Sequence, residues 1–248
     1  MVNALVVGGE GLHNAQAAAQ ALRMAKFETS VSHLNDLVGY SLDELCKKYG
    51  VLVFPGGFSY GDCLGAGKVL ALKIRYALRW NLSLFASRGG LVLGIGNGFQ
   101  ALVRMHLLGA DVSITHNLQG YFLNAWMKVV PSGGKCLWLK GLGTMELPIC
   151  HQQGRLMIAS SRRAESLRKM EEAGMTCLKY ESNPNGSEEA LAGLCDPSGR
   201  IFGMMPHPEL FVRWTSHPEW TTQMTRASSP GQGLVIFENA YREAVQAL

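Results

Sequence analysis

The chain has 248 residues, of which 47% are hydrophobic and 17% charged, and it carries a formal net charge of +4. That length can bury a substantial core without disulfide or metal staples, and one domain spanning 1–248 is the simplest organisation. The basic residues are scattered, with no Lys/Arg block and no basic stripe interleaved with aromatics, so nucleic-acid binding has no support. The apolar run near the N-terminus lacks a basic flank and is too short to cross a bilayer; neither secretion nor membrane insertion is expected, and a cytoplasmic location follows by default.

In chain order, residues 4–7 form a short apolar run closed by Gly8-Gly9, the pattern of a buried parallel strand. Residues 14–26 carry alanine and leucine at helical spacing, with Asn14 placed to act as N-cap. Residues 29–34 alternate like a strand, and Ser41-Leu-Asp-Glu is a capping-box pattern that opens a helix to Tyr49. Val51–Phe54 is a second buried strand, followed by the loop Pro55-Gly-Gly-Phe-Ser-Tyr-Gly-Asp. The spacing predicts one long helix over 68–87, a strand over 90–95 and a helix over 97–107. Such a βαβα series implies a mainly parallel sheet between helical layers.

Residues 111–140 are richer in β-formers and turns and are expected to add antiparallel strands. A helix over 162–173, strands at Leu191–Cys195 and 201–205 joined by the turn Asp196-Pro-Ser-Gly, and a last helix over 234–247 complete the pattern. The 29 glycines exceed the usual share of about 7% and gather at strand ends, as tight turns require. The six cysteines show no CxxC pair and no zinc-ligand spacing, so buried free thiols are expected rather than disulfides or a metal site.

Three loops stand at predicted carboxyl ends of strands, where open α/β sheets place their ligands. Gly94-Ile-Gly-Asn-Gly-Phe-Gln has the form of a nucleophile elbow: a sharp strand-to-helix turn that raises its central residue over a helix N-terminus. That central residue, Gly96, has no side chain with which to attack. The paired glycines of the 55–62 loop can point a backbone N–H into a site as an oxyanion donor. In Met204-Met-Pro-His-Pro-Glu, His207 and Glu209 can serve as a base and the carboxylate that orients it. Met170 and the Met204-Met205 pair read as core filling. His217 belongs to a second His-Pro-Glu that follows no buried strand and reads as structural. His151 reads as a site-wall or hydrogen-bonded loop residue.

Together GGFSYGD, the elbow and MMPHPE resemble the class I glutamine amidotransferase domain of phosphoribosylformylglycinamidine synthase. Leu147-Pro-Ile-Cys-His-Gln-Gln-Gly and Tyr180-Glu-Ser-Asn-Pro-Asn-Gly-Ser extend the likeness, so that it covers most of the chain. The resemblance implies an α/β, flavodoxin-like fold with extra antiparallel strands. It also implies a glutaminase that supplies ammonia to a synthetase subunit in purine biosynthesis. Carried over by position, His207 is the base, Glu209 its orienter, Gly57 and Asn97 the oxyanion donors, and Gln100 and Asn117 substrate-binding residues. Gly96 stands where the family has its catalytic cysteine. No metal or organic cofactor is implied for this chain; ATP and magnesium belong to the synthetase.

Other departures accompany Gly96. Gln119 and Ala125 replace a serine and an arginine of the family pattern, and Gln153 stands where glutamate is common. Neither Cys63 nor Cys150 lies on an elbow, so neither is expected to replace the nucleophile. Three readings follow: a glutaminase component lacking hydrolysis, a pseudo-glutaminase that serves the synthetase as a binding subunit, or a small-amide-binding domain.

Overall fold

The computed structural model describes residues 2–158 and 163–246. Among these described residues, eleven strands and seven α-helices form the framework. Strands β1 (Asn3–Gly8), β2 (Glu28–His33), β3 (Val51–Phe54), β4 (Leu91–Ile95) and β11 (Ile201–Met204) run parallel in the order β2-β1-β3-β4-β11. Beyond β11 the sheet continues antiparallel through β10 (Leu191–Cys195), β9 (Leu178–Tyr180), β6 (Leu123–Pro131) and β7 (Met145–His151). A separate antiparallel pair joins β5 (Val112–Thr115) to β8 (Arg155–Ile158). The α/β class and the added antiparallel strands match the expectation, but the nine-stranded sheet is mixed rather than mainly parallel, with four parallel and four antiparallel pairings.

Strand periodicity builds two cores, one on each face of the sheet. Ala4, Val6, Val51, Val53, Leu91 and Leu93 enter one cluster, while Leu5, Val7, Leu52, Phe54 and Val92 enter the other. Because every one of these positions is fully buried, the central strands read as continuous apolar runs. Helices α1 (Ala15–Met24) and α7 (Leu234–Gln246) pack on the first face. On the second lie α2 (Leu42–Lys48), α3 (Lys68–Leu72), α4 (Leu82–Ser87), α5 (Asn97–Arg104) and α6 (Arg163–Glu172). The capping box at Ser41 is present, with Ser41 Oγ accepting from Glu44 N–H and Glu44 accepting from Ser41 N–H at 2.7 Å. The predicted beginning of α6 and end of α7 fall partly on 159–162 and 247–248, outside the described residues.

Two other sequence expectations need correction. The long helix over 68–87 is three pieces: α3, a π-helical stretch Lys73–Leu78, and α4. The break comes at Arg79, which takes a left-handed φ of 56°, after which Asn81 Oδ1 caps α4 by accepting from Leu84 N–H. No glycine or proline marks this break, so the apolar spacing alone reads straight through it. Asn14 stands before α1 but makes no side-chain cap, because its amide is engaged elsewhere. Strand β7 contains Pro148, which the outermost position of the sheet tolerates. Among the described residues no helix is long and apolar enough to cross a membrane.

Candidate active site

Four loops leave the same edge of the parallel sheet, after β1, β3, β4 and β11. The chain passes from β1 to β2 on one side and then to β3 on the other, so β1 and β3 flank a topological switch point, where doubly wound sheets bind ligands. A cavity of about 200 Å³ opens there, lined by residues of all four loops including Asn14, Gly57, Gly96, Asn97, Gln100 and His207. It is smaller than the roughly 300–1,000 Å³ of drug-sized pockets and suits a ligand of amino-acid dimensions.

Gly96 forms the junction between β4 and α5, with φ 50° and ψ −106°. L-residues rarely adopt this combination, whereas glycine takes it without steric cost. Gly96 N–H donates to Met204 O at 2.9 Å and Gly96 O accepts from Gln100 N–H at 2.9 Å, which pins the turn between β11 and α5. A Cβ placed on Gly96 would lie 2.9 Å from His207 Cε1 and 3.1 Å from His207 Nε2. The position therefore faces the histidine edge-on.

His207 and Glu209 are both buried, at 4% and 2% exposure. His207 Nδ1 lies 2.8 Å from Glu209 Oε1. Asn14 Nδ2 donates to the same oxygen at 3.0 Å, so Glu209 accepts from both and fixes the Nδ1–H tautomer. The 3.3 Å approach of Asn14 Nδ2 to His207 Nδ1 is then a contact between two donors. His207 Nε2 is left with its lone pair free; it is buried and has no hydrogen-bond partner. Gly56 backs the ring, and a Cβ there would fall 2.5 Å from His207 Cε1. Pro148 O accepts from His207 N–H at 2.8 Å, so the antiparallel arm folds back to brace the base.

Asn97 opens α5, and its backbone N–H belongs to the helix's first turn, where no intrahelical acceptor exists. Its side chain is fully used: Oδ1 accepts from Ser59 N–H at 3.1 Å and from the Ser59 hydroxyl, and Nδ2 donates to Asp62 Oδ1 at 2.9 Å and Gln100 Oε1 at 2.8 Å. The GGFSYGD loop is thus bolted to the elbow. Gly57 lies in the same cavity at φ 154°, and a Cβ there would fall 2.2 Å from Gly11 O, so only glycine fits against the β1 loop. Gln100 Nε2 donates to Gln153 O at 2.5 Å, and Gln153 Oε1 accepts from Ala66 N–H at 3.0 Å. Burial raises the Asp62 carboxyl, opposed by the Asn97 hydrogen bond and the nearby Arg104.

Asn117 is set apart from the others. Its Nδ2 donates to Tyr121 O and His151 O, and its Oδ1 faces His151 Nδ1 and Gly154 N–H, so it clamps the 117–121 loop to the 151–154 turn and does not line the cavity. Gln119 donates to Pro184 O, and Ala125 pairs with Ile149 inside the sheet; neither lines the cavity. Cys150 does line it, but burial raises its thiol, whereas Cys63 is exposed. The residue that sequence reasoning missed is Asn14: an asparagine before a helix reads as a cap, and only the fold brings it to the histidine–glutamate pair. His217 is buried among Trp126, Phe211 and Trp214, as its structural reading expects.

His151, on the cavity wall, has its pKa lowered to about 4 by burial and, secondarily, by the charge of His207. The folded state therefore binds this proton less readily than the unfolded chain, whose histidine titrates near 6.5. Stability from His151 is complete above pH 6.5 and declines as pH falls toward 4, because the unfolded state takes up the proton first. The expected loss between pH 7 and 4 is about 3 kcal/mol at 1.36 kcal/mol per unit. Urea unfolding over that range, compared with His151→Gln, checks it: the variant should show a shallower acid dependence.

A histidine–glutamate pair, a helix-start N–H and a sharp elbow around one small cavity are the surroundings that an amide-cleaving nucleophile needs. The chain matches the CobB/CobQ-like glutamine amidotransferase domain over residues 1–242. It belongs to that family. The amidotransferase chain is 35% identical to the phosphoribosylformylglycinamidine synthase subunit PurQ of Dehalococcoides mccartyi, over 99% of this chain and 98% of the relative. It is 32% identical to the same-named protein of Methanococcus maripaludis, over 95% of each. Among solved structures it is similar to a chain of PurLQS from Thermotoga maritima, with a TM-score of 0.73, 29% identity and coverage of 97% and 98%. A glutamine amidotransferase from Methylobacillus flagellatus shares the fold at a TM-score of 0.55 and 14% identity, with coverage of 100% and 95%.

Proposed function

We propose that this chain is the glutaminase-type subunit of a phosphoribosylformylglycinamidine synthase, built to serve a synthetase partner in purine biosynthesis but without glutamine hydrolysis of its own. The observation that carries the reading is the approach between Gly96 and His207 Nε2: the position faces a buried histidine nitrogen that has no hydrogen-bond partner, and it carries no atom that could attack. The relatives that bear this synthase's name, aligned over nearly the whole chain, support the assignment to such a complex.

In this reading glutamine's side-chain amide enters the cavity above Gly96. His207, held by Glu209 and Asn14, is the acid–base group, and the N–H groups of Gly57 and Asn97 face the carbonyl oxygen as charge develops. Without a covalent nucleophile the amide is not cleaved at a useful rate, since oxyanion donors and binding alone leave about 10³–10⁴ over water. The chemistry requires no cofactor in this chain; ATP and magnesium act on the synthetase. A cytoplasmic location fits a purine-biosynthetic role. Phe58 and Phe122, partly exposed with ring centroids 6.1 Å apart beside the cavity, offer apolar surface to the partner.

The test is to purify the chain with its synthetase and supply either glutamine or ammonium. Product is expected with ammonium and not with glutamine, from a complex that stays associated. Glutamine-dependent product at a rate comparable to ammonium would overturn the hydrolysis-deficient reading. Failure of the two proteins to associate would overturn the placement in this synthase.

A further inference from the structure

Away from the amidotransferase site, three cysteines from separate segments converge. Cys136 follows the β6 arm, Cys177 precedes β9, and Cys195 ends β10. Their sulfurs all lie within 4.8 Å of one another, and all three residues are buried. Strand direction places them far from catalysis. Cys195 pairs with Phe202 near the start of β11, whereas Met204, at its end, pairs with Ile95 beside the elbow. The cluster thus sits at the opposite edge of the sheet from Gly96.

We propose that these three cysteines form a site for one thiophilic d¹⁰ cation, held by three thiolates. Metal–thiolate bonds run to about 2.3 Å, which puts three sulfurs around a trigonal centre ~4.0 Å apart, so the observed triangle closes by less than about 1 Å. Among the described residues no fourth His, Cys, Asp or Glu joins the group, and three-thiolate coordination favours soft ions such as monovalent copper over the four-ligand arrangement usual for zinc. Access exists: Cys136 lines a surface cavity of about 230 Å³ with Ser132, Gly133, Gly134 and Lys140. Lys135 lies beside the cluster and offsets part of the thiolate charge. Coordination releases the thiol protons, so affinity rises with pH. The sequence hides the site because the three positions share no short spacing. Packed as small apolar side chains, the same cysteines would bind nothing.

The test uses the full, reduced chain under anaerobic conditions, titrated with chelator-buffered Cu⁺ in one arm and Zn²⁺ in the other. One tightly held equivalent of either ion is expected, with a raised melting temperature, and the arm that saturates identifies the ion. Cys177→Ala and the near-surface Cys136→Ser should each lose binding, whereas Cys46→Ser/Cys63→Ser should keep it. Either cluster variant suffices should the other fail to fold. No stoichiometric binding in either arm, binding that follows Cys46 and Cys63, or a disulfide within the cluster of the protein as isolated would overturn the proposal.

Discussion

Replacing Gly96 with cysteine is expected to create glutamine hydrolysis on the order of 10³-fold or more above the unmodified chain, most clearly with the synthetase present. The elbow aims position 96 at His207 Nε2, and the tautomer fixed by Glu209 and Asn14 leaves that nitrogen ready to take a thiol proton. The same change costs stability. A side chain must occupy φ 50° and ψ −106°, a conformation worth about 1–3 kcal/mol of strain. Its Cβ also lies 2.9 Å from His207 Cε1, so the ring must give by a few tenths of an ångström. Gly96→Ala separates the two effects, because it carries the strain and no thiol. It should melt lower than the unmodified chain and remain inactive. Ammonia release from glutamine, followed for all three proteins, reads the outcome. A silent Gly96→Cys protein, folded and bound to its partner, would show that more than the nucleophile is missing, with Gln153 on the cavity wall the first departure to revert.

Gly98→Ala is expected to be the most damaging single methyl in the elbow. A Cβ at this position would fall 1.9 Å from Phe54 O and 2.6 Å from Phe54 C, which belong to the backbone of central strand β3. Strand backbone buried on both faces cannot step aside as a flexible side chain would, so α5 must lift from the sheet. The expected cost is at least about 3 kcal/mol, in line with overpacking and lost core contact. For a chain of this size that lowers the melting temperature by roughly 6–12 °C, at 2–4 °C per kcal/mol. Gly143→Ala is the matched control: nothing lies within 4 Å of its Cβ, its φ is unstrained, and it should change stability by less than about 0.5 kcal/mol. Calorimetry on both variants decides the matter, and a Gly98→Ala protein as stable as the control would refute the close packing of elbow on strand.

The parallel half was legible because β1, β3 and β4 are short apolar runs that end at or within two residues of a glycine, and because β2 alternates as an edge strand does. The elbow and the histidine–glutamate loop were legible because their chemistry needs small residues and prolines at fixed offsets. Where the sequence misled, one local signal had two physical uses. Asn14 looks like a cap because asparagine caps helices, yet its amide goes to Glu209. The 68–87 segment looks like one helix because its apolar spacing survives a left-handed residue at Arg79 that carries no glycine or proline flag. Asn117 falls on a family position for substrate, but its four hydrogen-bonding directions are spent inside the protein. The cysteine cluster was invisible because only the antiparallel arm brings its members together.

The strands that carry Gly96 and His207 are hydrogen-bonded neighbours, with Met204 paired to Ile95. Their separation is the strand spacing of the sheet, roughly 4.7–4.9 Å, and no loop drift can widen it while the ladder holds. Glycine at position 96 therefore leaves the histidine's address intact. A glycine codon and a cysteine codon can differ by a single base, so one mutational step would set a thiol beside a base already waiting.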